Sequence, residues 1–389
     1  MLYATPDLVP VEEAVIDRIE ALRRDMRMYL YEPKRWSGLL RRTQFARAVQ
    51  GSNSIEGFDA ALDDALAIEL GEPPLDASEE TALAIKGYRD AMTYVLQIAD
   101  EPDGTHGFHY GQQLLKSLHF MMTNYSLTNR PGLWRSGSIY VRDDSGAQLV
   151  YEGPDLEMVP GLMRELVNQL NADNETPVMV RAAMAHLNLV LIHPFKDGNG
   201  RMARCLQTLV LAREKILAPS FCSIEEYLGR NTQSYHDILG EVGAASWQPK
   251  QDARPWIRYI LTAHLRQAHT MLRRIRDSES VWIRLDKITR KRRLPERAIS
   301  ALYDAVYGLR VRNSVYRASL AGTEDEISDQ VAGKDLKTMA AMGLLVPHGE
   351  RRGRYYTAGE ELVAMRTEMK LSRAPRDNTD PFAEAPKSA

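Results

Sequence analysis

His193-Pro194-Phe195-Lys196-Asp197-Gly198-Asn199-Gly200-Arg201-Met202-Ala203-Arg204 is the stretch that decides how this chain is read. It gathers one imidazole, one carboxylate, a pair of glycines around an amide, and a pair of guanidiniums. Upstream, Met179 to Ile192 is mostly apolar and reads as a helix, which Pro194 should end because the residue before a proline is pushed out of the α region. Downstream, Arg201 to Val210 resumes a helical pattern, so Gly198-Asn199-Gly200 forms the turn into a second helix. The unpaired N–H groups and the dipole at that helix start favour an anion. Arg201 and Arg204, spaced i and i+3, share one face, where each can grip a different phosphate oxygen. Asp197 could hold Mg²⁺ beside substrate phosphates. His193, at a helix end, could take a proton from an attacking hydroxyl near neutral pH. The inventory suits phosphate chemistry.

In this order the residues match without a gap the signature HPFx[D/E]GNGRxxR, and through it the chain resembles the Fic family. The resemblance implies a mainly α fold, with a helical Fic core carrying a β-hairpin flap. It also implies an ATP- and Mg²⁺-dependent protein adenylyltransferase, which moves AMP onto a Ser, Thr or Tyr hydroxyl of a target protein and releases pyrophosphate. On that resemblance His193 is the general base and Asp197 the Mg²⁺ ligand. The amides of Gly198, Asn199 and Gly200, with the Asn199 side chain, form an anion hole, and Arg201 and Arg204 hold the β- and γ-phosphates. Phe195 is expected to bury its ring as an anchor, and Lys196 occupies the variable position.

Far upstream, Ser52-Asn53-Ser54-Ile55-Glu56-Gly57 fits the family's inhibitory pattern [S/T]xxxE[G/N], and its place before the catalytic stretch resembles the class with an N-terminal inhibitory helix, here about 39–57. Glu56 would then pair with Arg204 and withdraw its guanidinium from the γ-phosphate, with a strength set by burial. In some members of the family the same glutamate supports removal of AMP.

Between Asn129-Arg130-Pro131-Gly132 and the motif, the texture changes to Ser138–Arg142, Asp143-Asp144-Ser145-Gly146 and Gln148–Tyr151, a β-hairpin pattern. The resemblance makes this the flap, with Ile139, Tyr140, Val141 and Arg142 docking the target by strand pairing. Beyond the motif, Ser223 to Leu239 carries Tyr227, Arg230, Asn231 and Tyr235; Tyr235 and Arg230 are the expected nucleotide contacts. Pro255 should start a helix that closes the core and runs to about Arg276.

A different composition begins near Asp277. A basic run, Arg290 to Arg293, precedes helical patterns over 295–306, 313–320 and 327–342, then a strand-turn-strand with Arg351, Arg352 and Arg354 at its tip. Helices followed by a basic hairpin resemble a winged helix-turn-helix. The corresponding recognition helix, Asp329 to Met339, opposes Lys334 and Lys337 with Asp329 and Asp335 and offers few base-reading groups. Protein docking or dimerisation therefore stands ahead of DNA binding. The division expected is 1–110 as an N-terminal helical region, 111–276 as the catalytic core, 277–371 as the winged-helix domain and 372–389 as a disordered tail.

With 389 residues, 44% of them hydrophobic, the chain can bury a sizeable core. A net charge of -2 argues against wholesale nucleic-acid coating. Cys205 and Cys222 are too few for a disulfide framework and sit among apolar residues as expected core thiols. No basic region leads a long apolar run, which sets the expectation of a cytoplasmic, unanchored protein. The histidines are scattered, and His106 with His109 is too little for a metal site. A target protein, the chain itself as target, and a second copy of the chain are the candidate partners, with DNA behind them. Two competing readings remain: a DNA-binding regulator that senses nucleotide, and a Fic enzyme with another donor or running in reverse to remove AMP.

Overall fold

The computed structural model describes residues 1–31, 34–102, 107–142, 149–172, 175–215, 221 and 223–383. The expected hairpin tip at 143–148, His106, Cys222 and the last tail residues lie outside that set, as does the Arg352 side chain.

Helix α1 (Pro10–Leu30) starts with proline in its first turn, where no N–H is needed, and the Glu12 side chain reaches back to the Val9 N–H at 3.0 Å. Helix α2 (Ser37–Ser54) is followed by Glu56 and by Gly57 at φ 82°, a conformation that only glycine adopts cheaply. Helices α3 (Leu62–Glu69), α4 (Glu79–Ile98) and α5 (Gln112–Thr123) follow. The start of α4 differs from the expected cap at Asp76: the Ser78 hydroxyl accepts from the Thr81 N–H at 3.2 Å, and Asp76 pairs with Arg310 instead.

Strands β1 (Tyr140–Arg142) and β2 (Leu149–Glu152) form an antiparallel pair with Val141 opposite Tyr151. Then come α6 (Val159–Asn171), α7 (Val178–Ile192) and α8 (Asn199–Arg213). Nearly every residue of α7 and α8 is buried, as befits helices that are apolar or committed on all sides. They pack on one another at the centre of the main core.

Helix α9 (Glu225–Arg230) lies against α2 so closely that a Cβ on Gly51 would come within 2.7 Å of the Glu225 carbonyl. After α10 (Thr232–Gly243), α11 runs unbroken from Arg254 to Lys291. The expected end near Arg276 is not an end, because no glycine or proline interrupts 256–291 and the apolar residues change partners without a break. Ile275 still belongs to the main core, whereas Val281 and Leu285 belong to a second one.

That second core is built from α12 (Ala298–Val306), α13 (Asn313–Ala318), α14 (Asp329–Ala341), the antiparallel strands β3 (Leu345–His348) and β4 (Tyr355–Ala358), and α15 (Glu360–Leu371). It is fastened to the N-terminal helices: Arg42 donates to both Asp304 oxygens at 2.9 Å, and Arg310 is ringed by Asp63, Asp64 and Asp76. Within α14, Asp335 is buried and bonded to Arg297 at 2.8 Å, so it does not oppose the exposed Lys334 and Lys337.

Residues 372–383 carry no helix or strand, yet they lie against α11: Arg373 donates to Asp277 at 2.9 Å, Arg266 donates to the Asp377 and Thr379 carbonyls, and the Arg258 guanidinium sits 5.2 Å from the Phe382 ring. Side-chain pairing gives a polar, proline-containing segment a fixed path without secondary structure. No described helix is long and apolar enough to cross a membrane.

Candidate active site

Left-handed residues frame the loop between α7 and α8. His193 closes α7 at φ 50° and ψ 57°, its N–H donating to the Leu189 carbonyl at 3.0 Å. A histidine there costs on the order of 1–3 kcal/mol, so the surroundings must over-determine it. They do: Arg135 donates through Nε to the His193 carbonyl at 3.1 Å and through its own N–H to the Pro194 carbonyl at 2.8 Å. Gly198 caps the other end at φ 75°.

Within the loop, the Phe195 N–H donates to Asn199 Oδ1 and Asn199 Nδ2 donates to the Phe195 carbonyl, each at 2.9 Å. The Asn199 side chain is thus spent on closing the loop, and what faces outward are the first-turn N–H groups of Asn199, Gly200 and Arg201, which have no intrahelical acceptor. Phe195 is fully buried and stacks on His119, with ring centroids 3.7 Å apart. His119 also accepts from the Gly132 N–H through Nδ1 and donates through Nε2 to the Asp197 carbonyl at 2.8 Å. Burial holds it neutral, with its pKa lowered to about 4.

His193 Nδ1 lies 3.1 Å from the Val190 carbonyl. A carbonyl can only accept, so Nδ1 carries the proton and Nε2 keeps a free lone pair. Burial, set against smaller upward pulls from the Val190 bond and from Glu56, lowers the His193 pKa and favours the neutral ring.

Arg201 and Arg204 are both buried. Arg201 Nε and NH2 have no hydrogen-bond partner among the described residues, and neither has Arg204 NH1. Buried guanidinium nitrogens without acceptors need an explanation, and an anion supplies one. The rest of Arg204 is engaged: Nε donates to the Ser52 hydroxyl and NH2 to the Ser52 carbonyl, both at 2.8 Å, and NH2 reaches Glu56 Oε1 at 2.6 Å. A Cβ on Gly200 would collide with that Glu56 oxygen and come within 3.1 Å of Arg204 NH1, so the backbone is bare where the carboxylate and guanidinium meet. Burial pushes the Glu56 carboxyl up, but Arg204 and then Arg201 outweigh it and bring it below the ordinary value.

Asp197 accepts from Asn129 Nδ2 at 2.9 Å through Oδ2, and Arg201 NH2 stands 3.6 Å from the same oxygen. Among the described residues, Oδ1 has no partner, and no cluster of His, Cys, Asp or Glu forms a ready metal cage. One half-exposed carboxylate with a free oxygen fits Mg²⁺, which keeps its waters and shares its ligands with phosphates.

The β1–β2 hairpin is anchored beside this loop: Tyr151 donates to the Leu191 carbonyl at 2.7 Å, and the Gly153 N–H donates to the Ile139 carbonyl at 3.2 Å. β1 pairs only with β2, which leaves its other edge unpaired among the described residues, with Tyr140 exposed and Ile139 and Val141 half-buried. Tyr235 sits under the site rather than in it, buried, bonded to His186 at 2.9 Å and with its ring 5.9 Å from the Arg204 guanidinium. Arg230 is not brought to the loop; it pairs with Glu226 at 2.6 Å on α9. His119 and Arg135, which set the loop, carried no usable signal: one looks like a core histidine on the apolar face of α5, the other like a stray surface arginine.

A helical domain whose central helix pair holds an anion-ready loop, with a hairpin alongside, is the class that this fold and site define. Residues 110–211 match the family model described as Fic/DOC family. The chain is similar to Protein adenylyltransferase fic-1 of Caenorhabditis elegans, at 31% identity over 109 residues, 27% of this chain and 18% of that protein. It is also similar to a probable protein adenylyltransferase of Aquifex aeolicus, at 33% over 78 residues, 20% and 24% of the two chains. The match thus spans about a fifth of the length of these curated relatives. In fold, it is similar to a Fic family protein from Desulfovibrio desulfuricans G20, with a TM-score of 0.57 and 19% identity over 92% of this chain and 98% of that one. Fic-1 from C. elegans follows at 0.55 and 21%, over 69% and 74%.

Proposed function

We propose that this chain is a protein adenylyltransferase restrained by its own Glu56. The observation that carries the reading is the set of buried guanidinium nitrogens on Arg201 and Arg204 that lack a hydrogen-bond partner among the described residues, next to a helix start and to a neutral His193 with a free Nε2. Arg201 and Arg204 would hold the β- and γ-phosphates of ATP, the first-turn amides of α8 the α-phosphate. A target hydroxyl oxygen attacks the α-phosphorus and passes its proton to His193 Nε2. The new P–O bond forms as the bond to the bridging oxygen breaks, and pyrophosphate leaves. Asp197 would hold Mg²⁺, which neutralises phosphate charge when bound. The unpaired edge of β1, through Ile139, Tyr140, Val141 and Arg142, would align the target segment by backbone pairing.

Glu56 puts a carboxylate against Arg204 where phosphate charge would sit, which supports its role as the inhibitor. For the C-terminal module, the order of helices and the β3–β4 hairpin support a winged-helix reading, and its arginine–carboxylate fastening to α2, α3 and their flanks favours docking within the chain over DNA.

The test is incubation of wild type, Glu56→Gly and His193→Ala with Mg²⁺ and ATP labelled at either the α- or the γ-phosphate. Protein label from the α-position alone, strongest in Glu56→Gly and absent in His193→Ala, is expected. γ-label on the protein would overturn the reading.

A further inference from the structure

A cavity of about 640 Å³ opens between α1, α9, α11 and the segment 372–378, and no residue of His193–Arg204 lines it. Its volume is that of a small-molecule site, but arginine dominates the charge of its walls. Arg18 comes from α1, Arg230 from α9, Arg266, Arg273 and Arg276 from α11, and Arg373 and Arg376 from the segment that covers it; only Asp277 and Asp377 oppose them in the lining. The two carboxylates and Glu226 account for Arg373, Arg266 and Arg230. Among the described residues, no carboxylate pairs with Arg18, Arg273 or Arg376. So many like charges around one space repel one another, and burial followed by the neighbouring arginines lowers the Arg273 pKa.

The covering segment shows what the cavity takes. Arg266 donates to the carbonyl oxygens of Asp377 and Thr379, and the Asp377 carboxylate lies 3.5 Å away. Clustered oxygens of the chain itself stand on a guanidinium fork, the geometry that a phosphate group satisfies with full charge.

We propose that this cavity is a second anion site, separate from the Fic loop, which takes a compact polyphosphate, and that the 372–378 segment is its lid and its competitor. The seven guanidiniums reach inward from three helices and the lid, an arrangement suited to a short chain of phosphates enclosed on several sides.

Inorganic tripolyphosphate titrated calorimetrically into the full chain tests this, with wild type, Arg273→Ala, Arg18→Ala, Asp377→Ala and Arg204→Ala. Arg273→Ala should weaken binding about tenfold, and the exposed Arg18, whose loss cannot disturb the core, about threefold. Asp377→Ala should tighten binding by removing the competing carboxylate 3.5 Å from Arg266, and Arg204→Ala should leave this binding event in place. No binding by wild type, unchanged affinity in both Arg273→Ala and Arg18→Ala, or loss of all binding in Arg204→Ala would overturn the site. Unchanged affinity in Asp377→Ala would overturn the lid.

Discussion

Arg204 donates through Nε to the Ser52 hydroxyl at 2.8 Å and through NH2 to Glu56, so the two ends of one pentapeptide grip a single guanidinium. The serine of the inhibitory pattern is therefore part of the grip, and its hydroxyl and carbonyl both face the arginine.

Removing the carboxylate should free Arg204 for phosphate. A charge-assisted hydrogen bond is worth about 1.5–3 kcal/mol, so Glu56→Gly should tighten ATP roughly tenfold or more and raise transfer. Ser52→Ala, which keeps the backbone carbonyl, should tighten it by about threefold. In a cycle with Arg204→Ala, measured by ATP titration, the Glu56 effect should vanish; simple additivity would sink the pairing.

His193→Ala should lower the transfer rate by roughly 10²- to 10⁴-fold, the usual worth of a positioned base, while ATP affinity stays within about twofold. Because burial lowers the His193 pKa from 6.5, the base is already neutral at pH 7. A pH–rate profile of Glu56→Gly should be flat above neutrality and fall on the acid side through an apparent pKa below 6.5. A rate that still climbs above pH 7 would mean that another group governs the proton.

Two buried histidines make the fold itself acid-sensitive. His186, between Gln207 and Tyr235, has its pKa lowered by burial from 6.5 to about 3, and His119 to about 4. Depressed folded values mean that the unfolded chain takes up protons first, so their contribution is complete above pH 6.5 and is lost as pH falls toward 3. Each contributes on the order of 3–5 kcal/mol to that slope. Urea unfolding of His186→Gln and His119→Gln across pH 4 to 7 should give shallower slopes than wild type.

Gly51 lets α2 and α9 touch backbone to backbone. Gly51→Ala forces them apart at about 1–3 kcal/mol, and because Glu56 rides on the end of α2, self-modification should rise along with the loss of stability. Thermal unfolding and α-label incorporation would be read together; a stability loss with no gain in label would show that Glu56 does not depend on the α2–α9 contact.

The loop itself was legible because its residues are contiguous, so spacing alone gathers His193, Asp197, Arg201 and Arg204 around one turn between α7 and α8. The residues that hold the loop were not. Arg135 and His119 act from 58 and 78 residues away along the chain, through bonds to backbone carbonyls that any sequence offers. Periodicity likewise gave the apolar helix before His193, but not its left-handed last residue, which tertiary bonds impose against local preference. Tyr235 and Arg230 differ for a related reason: five residues apart on adjoining helices, they face opposite ways, one toward Arg204 and the other toward the arginine-lined cavity. Helix α11 escaped because a change of composition marks a change of packing partner, not a break in the backbone.

That helix, 38 residues and roughly 57 Å long, serves as a spacer whose phase matters as much as its length. Inserting one residue near Asp277 would turn everything beyond it by about 100° and advance it by about 1.5 Å, carrying Arg310 away from Asp63 and Asp304 away from Arg42. An insertion or deletion inside this helix would therefore unfasten the two cores, whereas a loop could absorb the same change.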